Sequence, residues 1–448
     1  MSDGGATIVV DLAFGDCGKG SIVDFLARGH AQHDGRPPLV VRFNGGPQAG
    51  HNVVTDDGRH HTFAQFGSGT FVPGALTLLS RFMLIDPYAM INEAAHLREV
   101  GVSDALKRLI VDRNCMIITP PQQAANRLRE LARDDAHGTC GMGVGEAMAD
   151  SIEHPELVLR ARQLGDRAAV AAKLRAVRDL KLAQLHNFIS SLAAAPRARQ
   201  AIETLQNTSW IDVAMDNYAW LADQITVVND RTARDMIGAS RNVIFEGAQG
   251  VLLDENHGFH PNTTWSTTTF ANAEHLLDEV NFPRARTRLG VLRSYFTRHG
   301  PGPFVTDDPS FIEKLPEPHN DARGWQGDFR VGAFDAVAAR YALAVAGGVD
   351  QIALTHVDRL ASVPPNICTA YERDGEVICD IPRCDPADFA GREALTARLK
   401  RCRPVYTPID TRDAERFVQT IERELNVRVV LTSRGPTTAE KRRRIASL

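Results

Sequence analysis

The sequence predicts an α/β protein with a large, mostly parallel central sheet flanked by helices. Three observations carry this. The run Ile8-Val9-Val10-Asp11-Leu12 is apolar and is followed at once by Gly15, Gly18 and Gly20, the pattern of a buried strand ending in a glycine-rich turn. Ile22-Val23-Asp24-Phe25-Leu26 reads as the next helix. Leu39-Val40-Val41-Arg42-Phe43 reads as a second strand that again runs into glycines, Gly45 and Gly46. Strand, helix, strand is the unit from which parallel sheets are built.

Later stretches extend the pattern. Asn242-Val243-Ile244-Phe245, Gln351-Ile352-Ala353-Leu354 and Val427-Arg428-Val429-Val430-Leu431 read as further strands. From about Pro155 to Asp223 alanine, leucine, arginine and lysine dominate, which predicts an inserted helical segment. Asp308 to Arg330 carries Pro309, Pro316, Pro318, Asn320, Gly324 and Gly327 and reads as a long loop, a feature that in compact enzymes usually serves function. The length prior allows two to three domains or one large unit. Residues 1–448 are read as one α/β unit, with the helical insertion at about 155–225 and a smaller region at about 360–448.

Composition excludes several classes. Lys+Arg 51 against Asp+Glu 55 gives a net charge of −4, which lacks the global footprint of a nucleic-acid binder. The one basic cluster, Lys441 to Arg444, reads as a solvated tail. No apolar run reaches the ~18 residues of a membrane helix, and Met1 to Thr7 has no signal-peptide pattern. Seven cysteines, odd in number and without a CxxC, point to a reducing, cytoplasmic compartment.

Several motifs could carry chemistry. Gly15-Asp16-Cys17-Gly18-Lys19-Gly20-Ser21 would let backbone N–H groups approach a phosphate at a helix start, with Lys19 adding a point charge. It is not a Walker A loop, because Ala13 and Gly20 stand where that motif needs Gly and Ser or Thr. A plain strand-to-helix turn is the alternative. Asp16 inside such a loop would repel phosphate unless it binds Mg²⁺ or takes a proton; the alternative is a helix cap. In Asn44-Gly45-Gly46-Pro47-Gln48-Ala49-Gly50-His51, three glycines around one histidine suggest close approach to a ligand, with His51 as proton donor or phosphate contact. Thr355-His356-Val357-Asp358 echoes the Asn/Thr-Lys-x-Asp element of guanine-nucleotide binders, whose Asp accepts from groups that adenine lacks. Glu246 to Gly250 and Asn262 to Thr269 are dense in hydroxyls and amides, suited to a phosphate, a base edge or side-chain turns.

In this order, these motifs resemble the adenylosuccinate synthetase family. The likeness also takes in Gly138-Thr-Cys-Gly-Met-Gly-Val-Gly145, Phe245 to Asp254, Gly300-Pro-Gly-Pro-Phe304 and Ser433-Arg-Gly-Pro436. The resemblance implies a P-loop-like nucleotide-binding architecture and a homodimer. It also implies a ligase that uses GTP (or ATP) and Mg²⁺ to phosphorylate O6 of IMP, a purine nucleoside monophosphate. L-aspartate then displaces that phosphate. By similarity, Asp16 is the general base and a Mg²⁺ ligand, His51 the general acid, and the Gly50 carbonyl a second metal ligand. Gly15, Gly18, Lys19 and Gly20 would hold the NTP phosphates, and Asp358, Ser433, Gly435 and Pro436 the guanine. Gln48, Thr139, Cys140, Gln249 and Thr264 match positions that bind IMP, and Arg330 matches an amino-acid-binding arginine.

The sequence departs from the family pattern at defined points. Cys17 replaces a Glu, Gln48 an Asn, Cys140 a Thr and Met142 an Arg. In Gly324 to Gly332 only Arg330 survives of an arginine run that normally clamps the aspartate carboxylates and touches the ribose, and Asp328 adds the opposite charge. Three alternatives follow. One is a relative that converts dGMP or GMP to 2-aminoadenylosuccinate. Another is a specialised-metabolism paralogue that uses another nucleotide or amino acid. The third is a nucleotide-binding module without ligase activity, against which the pair Asp16 and His51 argues.

Overall fold

β1 (Gly5–Asp11) occupies the middle of a ten-stranded sheet and is buried from Ile8 onward. The chain is described by a computed structural model over residues 4–133, 138–317, 325–363, 366–409 and 413–444. The other sheet strands are β2 (Leu39–Arg42), β3 (Leu76–Leu79), β4 (Leu109–Asp112), β5 (Thr226–Val228), β6 (Asn242–Gly250), β7 (Ala285–Arg293), β8 (Gln351–Thr355), β9 (Val429–Ser433) and β10 (Lys441–Arg443). Their spatial order is β10-β9-β8-β7-β1-β6-β2-β3-β4-β5. Every neighbouring pair is parallel except β9–β10. This is the α/β architecture expected. β2 shows why it is legible: all four of its residues are buried, as in a strand covered on both faces.

The chain leaves β1 for β2 on one side, while β7 and β8 lie on the other. Such a switch opens a crevice at the carboxyl ends of the strands, where ligands bind in open α/β sheets. The helix α1 (Lys19–Asp34) starts there, after Gly18 in the left-handed region at φ 85°.

The structure corrects or sharpens several readings. β6 runs to Gly250, well beyond Phe245. Its last residues lie against the loop after β1, and a Cβ on Gly250 would fall 2.2 Å from the Ala13 carbonyl oxygen. The end of the long loop is a strand: Phe329–Gly332 pairs antiparallel with Phe296–His299, setting Arg298 opposite Arg330 and His299 opposite Phe329. That pairing is long-range, and the Gly- and Pro-rich composition hides it. Pro318, Asn320 and Gly324 lie outside the described residues. The basic cluster is no solvated tail. Lys441 to Arg443 form β10, Lys441 is buried, and Arg444 pairs with Glu422 at 2.9 Å.

Between β4 and β5 lie several helices, among them Arg167–Gln184 and Trp210–Gln224, part of which close a separate small core around Leu185 and Leu205. After β8, Asn366–Arg373 centres a small mixed sheet, antiparallel to Glu376–Ile378 and Arg403–Pro408 and parallel to Phe334–Asp335, before the chain returns to the main sheet as β9. Among the described residues no helix is long and apolar enough to cross a membrane.

Candidate active site

The site is organised around a buried charge at the end of β1. Asp11 is fully buried and accepts hydrogen bonds from the backbone N–H groups of Ala13 (2.8 Å), Gly15 (3.1 Å) and Cys17 (2.7 Å). Lys19 Nζ lies 3.2 Å from its Oδ2 and also donates to the carbonyls of Gly15 (2.7 Å) and Gln249 (2.8 Å). The glycine-rich loop is thus wrapped around one carboxylate, and the Lys19 ammonium is tied into the loop itself. Gly15 permits this fold: its φ is +112°, and a Cβ there would meet the Gln249 backbone at 3.3 Å. Asp11 has no assigned part in the sequence reading. A carboxylate at the end of an apolar strand was the available signal, because buried charges are rare unless paired.

Asp16 projects from the loop into a cavity of about 870 Å³. Burial raises its carboxyl above the ordinary range, against the pull of His299 and Arg293. His299 Nε2 lies 3.3 Å from Asp16 Oδ2. His299 was not foreseen, although it directly precedes the glycine motif at Gly300. It ends the strand Phe296–His299 and packs on Phe329, with ring centroids 4.8 Å apart.

His51 and Gly50 stand on the same cavity wall. His51 Nδ1 lies 2.6 Å from Glu246 Oε1, and Glu246 Oε2 accepts from Ser68 N at 2.8 Å. Burial lowers His51 to about 4, outweighing the pull of Glu246. Burial alone would raise the Glu246 carboxyl, but Arg42, His51 and Ser68 hold it down to about 2. The imidazole is therefore neutral at pH 7, with Nδ1–H directed at a carboxylate.

Gln48, Gln249 and Thr264 also line this cavity, as do Thr139 and Cys140 from the turn Gly138–Gly143. Both amide atoms of Gln48 and Oε1 of Gln249 are buried and have no hydrogen-bond partner among the described residues. Gln249 holds a left-handed backbone at φ 56°. Unsatisfied buried amides and strained backbone are costly, and they collect where a polar ligand will bind. Thr139 Oγ1 lies 3.1 Å from Asn126 Nδ2, and burial raises the Cys140 thiol.

Asp358, Ser433, Gly435 and Pro436 do not line this cavity. Asp358 follows β8, and Ser433 ends the adjacent strand β9, with Gly435 and Pro436 just after it. Thr355 joins the two regions, since its Oγ1 donates to the Cys17 carbonyl at 2.7 Å. Asp358 is exposed, with Arg359 Nε 3.5 Å away, and the Ser433 hydroxyl donates to the Gly435 carbonyl at 2.8 Å. Arg330 also lies off the cavity wall. Its guanidinium donates to the carbonyls of Gly300 (2.7 Å) and Gly302 (3.0 Å) and pairs with Asp307 at 3.3 Å. From the same loop Gln326 lines the cavity, and Trp325 lies under the Arg197 guanidinium at 4.5 Å.

The donor set suits a hard cation. Asp16 offers a carboxylate and Gly50 a carbonyl on one wall. Among the described residues no group of three or more His, Cys, Asp or Glu could hold a metal by itself. Mg²⁺ needs no such cage, since it takes one or two protein oxygens together with substrate phosphates and water.

A sequence model of the family described as Adenylosuccinate synthetase matches residues 8–442. The chain is 32% identical over 444 residues to the adenylosuccinate synthetase of Methylococcus capsulatus, covering 96% of this chain and 95% of that protein. It shares its fold with the fully ligated adenylosuccinate synthetase from Plasmodium falciparum, with a TM-score of 0.76 at 20% identity over 99% of this chain and 100% of that one. It also shares it with the cyanophage S-2L succinoaminodeoxyadenylate synthetase bound to dGMP and dATP, with a TM-score of 0.60 at 18% identity over 98% of this chain and 95% of that one. Fold and family match define a carbon–nitrogen ligase. The chain belongs to the adenylosuccinate synthetase family.

Proposed function

We propose that the protein joins L-aspartate to C6 of IMP through a 6-phosphoryl intermediate, with GTP as the phosphoryl donor, and that it works as a cytoplasmic homodimer. The observation that supports this reading is the placing of Asp16 and His51 on one cavity whose wall carries the Gln48 amide and the Gln249 amide oxygen, buried with no partner among the described residues. Asp16 takes the purine N1 proton, and O6 becomes the nucleophile that attacks the γ-phosphorus, so that the O6–P bond forms as the bond to the β–γ bridging oxygen breaks and GDP leaves. A burial-raised carboxyl suits this role, because a base works best when its pKa approaches the working pH. His51 is paired with the Glu246 carboxylate through Nδ1, so as general acid it must carry a second proton on Nε2; the negative charge of a bound triphosphate favours that imidazolium, which then faces the charge that builds during transfer. The Asp16 carboxylate and the Gly50 carbonyl would hold Mg²⁺, which supplies charge neutralisation on the triphosphate. The amine of aspartate then forms the C6–N bond as the C6–O bond breaks, and phosphate leaves. Gly15, Gly18, Lys19 and Gly20 shape the phosphate end of the NTP site, and Asp358, Ser433, Gly435 and Pro436 its base end.

A second reading has one observation behind it. Arg330 is engaged by the carbonyls of Gly300 and Gly302 and by Asp307, and among the described residues of the loop it does not reach the cavity as the arginine of the family pattern would. This favours a relative that acts on dGMP or GMP, or one that uses another nucleotide or amino acid. Phosphate release with Mg²⁺ and GTP, measured against IMP, dIMP, GMP and dGMP with and without L-aspartate, separates the readings. Turnover with IMP plus aspartate alone supports the first. Turnover with dGMP or GMP replaces it with the second. Silence across the matrix, repeated with ATP, removes both nucleotide assignments.

A further inference from the structure

Lys441 opens the edge strand β10, opposite Ser433 at the end of β9. It is only 4% exposed, although it heads a run of four basic residues. Its side chain folds back over the turn that joins the two strands, and Nζ donates to the carbonyls of Pro436 (3.2 Å) and Thr437 (3.0 Å). The turn is clasped from a second direction by Glu440, whose Oε2 accepts from Thr437 N (2.8 Å) and Thr437 Oγ1 (2.9 Å). Gly435 packs so closely that a Cβ there would fall 2.2 Å from the Glu440 carboxyl carbon. Outside the turn, Thr438 Oγ1 donates to Asp24 Oδ2 on α1 at 3.1 Å, and Ala439 N to Asp56 Oδ1 at 3.1 Å. The turn is therefore registered against the helix that starts at the glycine-rich loop.

We propose that Lys441 is a positioning residue for the nucleoside triphosphate: by holding the Pro436 and Thr437 carbonyls it sets the turn 433–437 against which the purine base rests. This rests on the reading of Ser433, Gly435 and Pro436 as base-contacting residues. A flexible turn would have to be ordered when the nucleotide binds, and ordering costs affinity. A buried ammonium across two carbonyls meets that cost in the free protein. Burial lowers the ammonium to about 8, against the pull of Asp24 on α1, Glu440 in the turn and Asp56. His356, after β8, also feels Lys441, and burial, with Arg293, Arg359 and Lys441 adding to it, holds its imidazole well below the ordinary histidine range. Below pH about 8 Lys441 is charged and its bonds are charge-assisted. Above that pH they weaken, and nucleotide affinity falls.

The test is equilibrium binding of a fluorescent N-methylanthraniloyl GTP with Mg²⁺ to the full chain between pH 6.5 and 9. Wild type is compared with Lys441→Met, Lys441→Arg and Asp358→Ala. Lys441→Met is expected to bind about tenfold more weakly at pH 7, or about 1.4 kcal/mol, and to lose the alkaline decline beyond what the nucleotide itself shows. Lys441→Arg restores affinity to within about threefold and also lacks that decline, because arginine does not titrate in this range. A wild-type profile that superimposes on that of Lys441→Arg overturns the proposal, even if Lys441→Met fails to fold. If Asp358→Ala weakens binding while Lys441→Met does not, the Lys441 proposal falls and the base-site reading stands. If Asp358→Ala binds as wild type, the base-site reading falls and the proposal with it.

Discussion

His51 Nδ1 and Glu246 Oε1 lie 2.6 Å apart although the two residues are 195 positions apart in sequence. Glu246 ends the regular pairing of β6 with β2, and His51 follows the glycine turn after β2, so the parallel register delivers both to one place. A neutral imidazole whose Nδ1–H is fixed by a carboxylate has one tautomer and one orientation. The consequence is a specific dependence on charge at position 246. Glu246→Gln keeps the size and an acceptor for Ser68 but loses the carboxylate that aims the ring. Removing the carboxylate that holds a catalytic imidazole in its tautomer costs up to about 10⁴-fold in kcat, and a loss of kcat is expected here, with KM for the nucleotides changed by less than about threefold. Steady-state phosphate release checks it. A variant with wild-type kcat would show that His51 needs no aiming.

Asp16→Asn tests the proposed general base directly. The amide fills the same space but cannot take a proton. Positioned general acid–base groups contribute about 10²- to 10⁴-fold, and the variant should lose that much of kcat while still binding the nucleoside monophosphate, read by calorimetry. Near-wild-type turnover would assign the proton transfer to another group, with His299, 3.3 Å away, the first to examine.

The parallel sheet was legible in the sequence because β1, β2 and β8 are short apolar runs that end in turn residues, and local pattern alone marks them. Asp16, Gln48, His51 and Gln249 were legible because glycine motifs flank each of them. Asp11, Glu246 and His299 were not assigned roles. Their parts depend on what the sheet brings near them, and Glu246 meets His51 only through β2–β6 pairing. The strand Phe329–Gly332 was hidden for the same reason. The burial of Lys441 is hidden in the sequence because four consecutive basic residues carry the pattern of a solvated segment, and only the β9–β10 pairing turns the first of them inward. Arg330 carried a motif-based expectation, but its surroundings were set by the carbonyls of Gly300 and Gly302, which sequence spacing does not reveal.

Stability should carry a pH signature from Asp335, which caps the helix Ala336–Val345. Its carboxyl accepts from Ala338 N at 2.9 Å and from Tyr371 Oη at 2.7 Å. Burial raises it to about 6 from an ordinary 3.8. The folded protein thus binds this proton more readily than the unfolded chain does. The contribution is complete below pH about 4 and is lost as pH rises through about 6, by on the order of 3 kcal/mol. Asparagine at this position cannot ionise and escapes the loss. The stability of Asp335→Asn relative to wild type should therefore rise between pH 4.5 and 7.5, read as the difference in urea midpoints. A difference that is constant with pH would mean that Asp335 ionises normally in the fold.

Gly20 gives a test of geometry separate from chemistry. It lies in the first turn of α1, and a Cβ there would fall 2.7 Å from His51 Cβ and 3.0 Å from Ser68 Oγ. Both are short heavy-atom approaches, and His51 is the group with the more demanding position. Because its φ is not in the left-handed region, alanine at this position suits the helix and costs nothing in backbone conformation. The clash must be relieved by moving the strand His51–Val54, and with it the imidazole, by a few tenths of an ångström or more. A misplacement of about 1 Å in a catalytic group can cost about 10²-fold in rate. Gly20→Ala is therefore expected to fold, with a thermal midpoint near wild type, and to lose about 10- to 100-fold in kcat. Full activity would mean that the site tolerates displacement of His51. A collapse in thermal stability would instead place the role of Gly20 in packing α1 against the sheet.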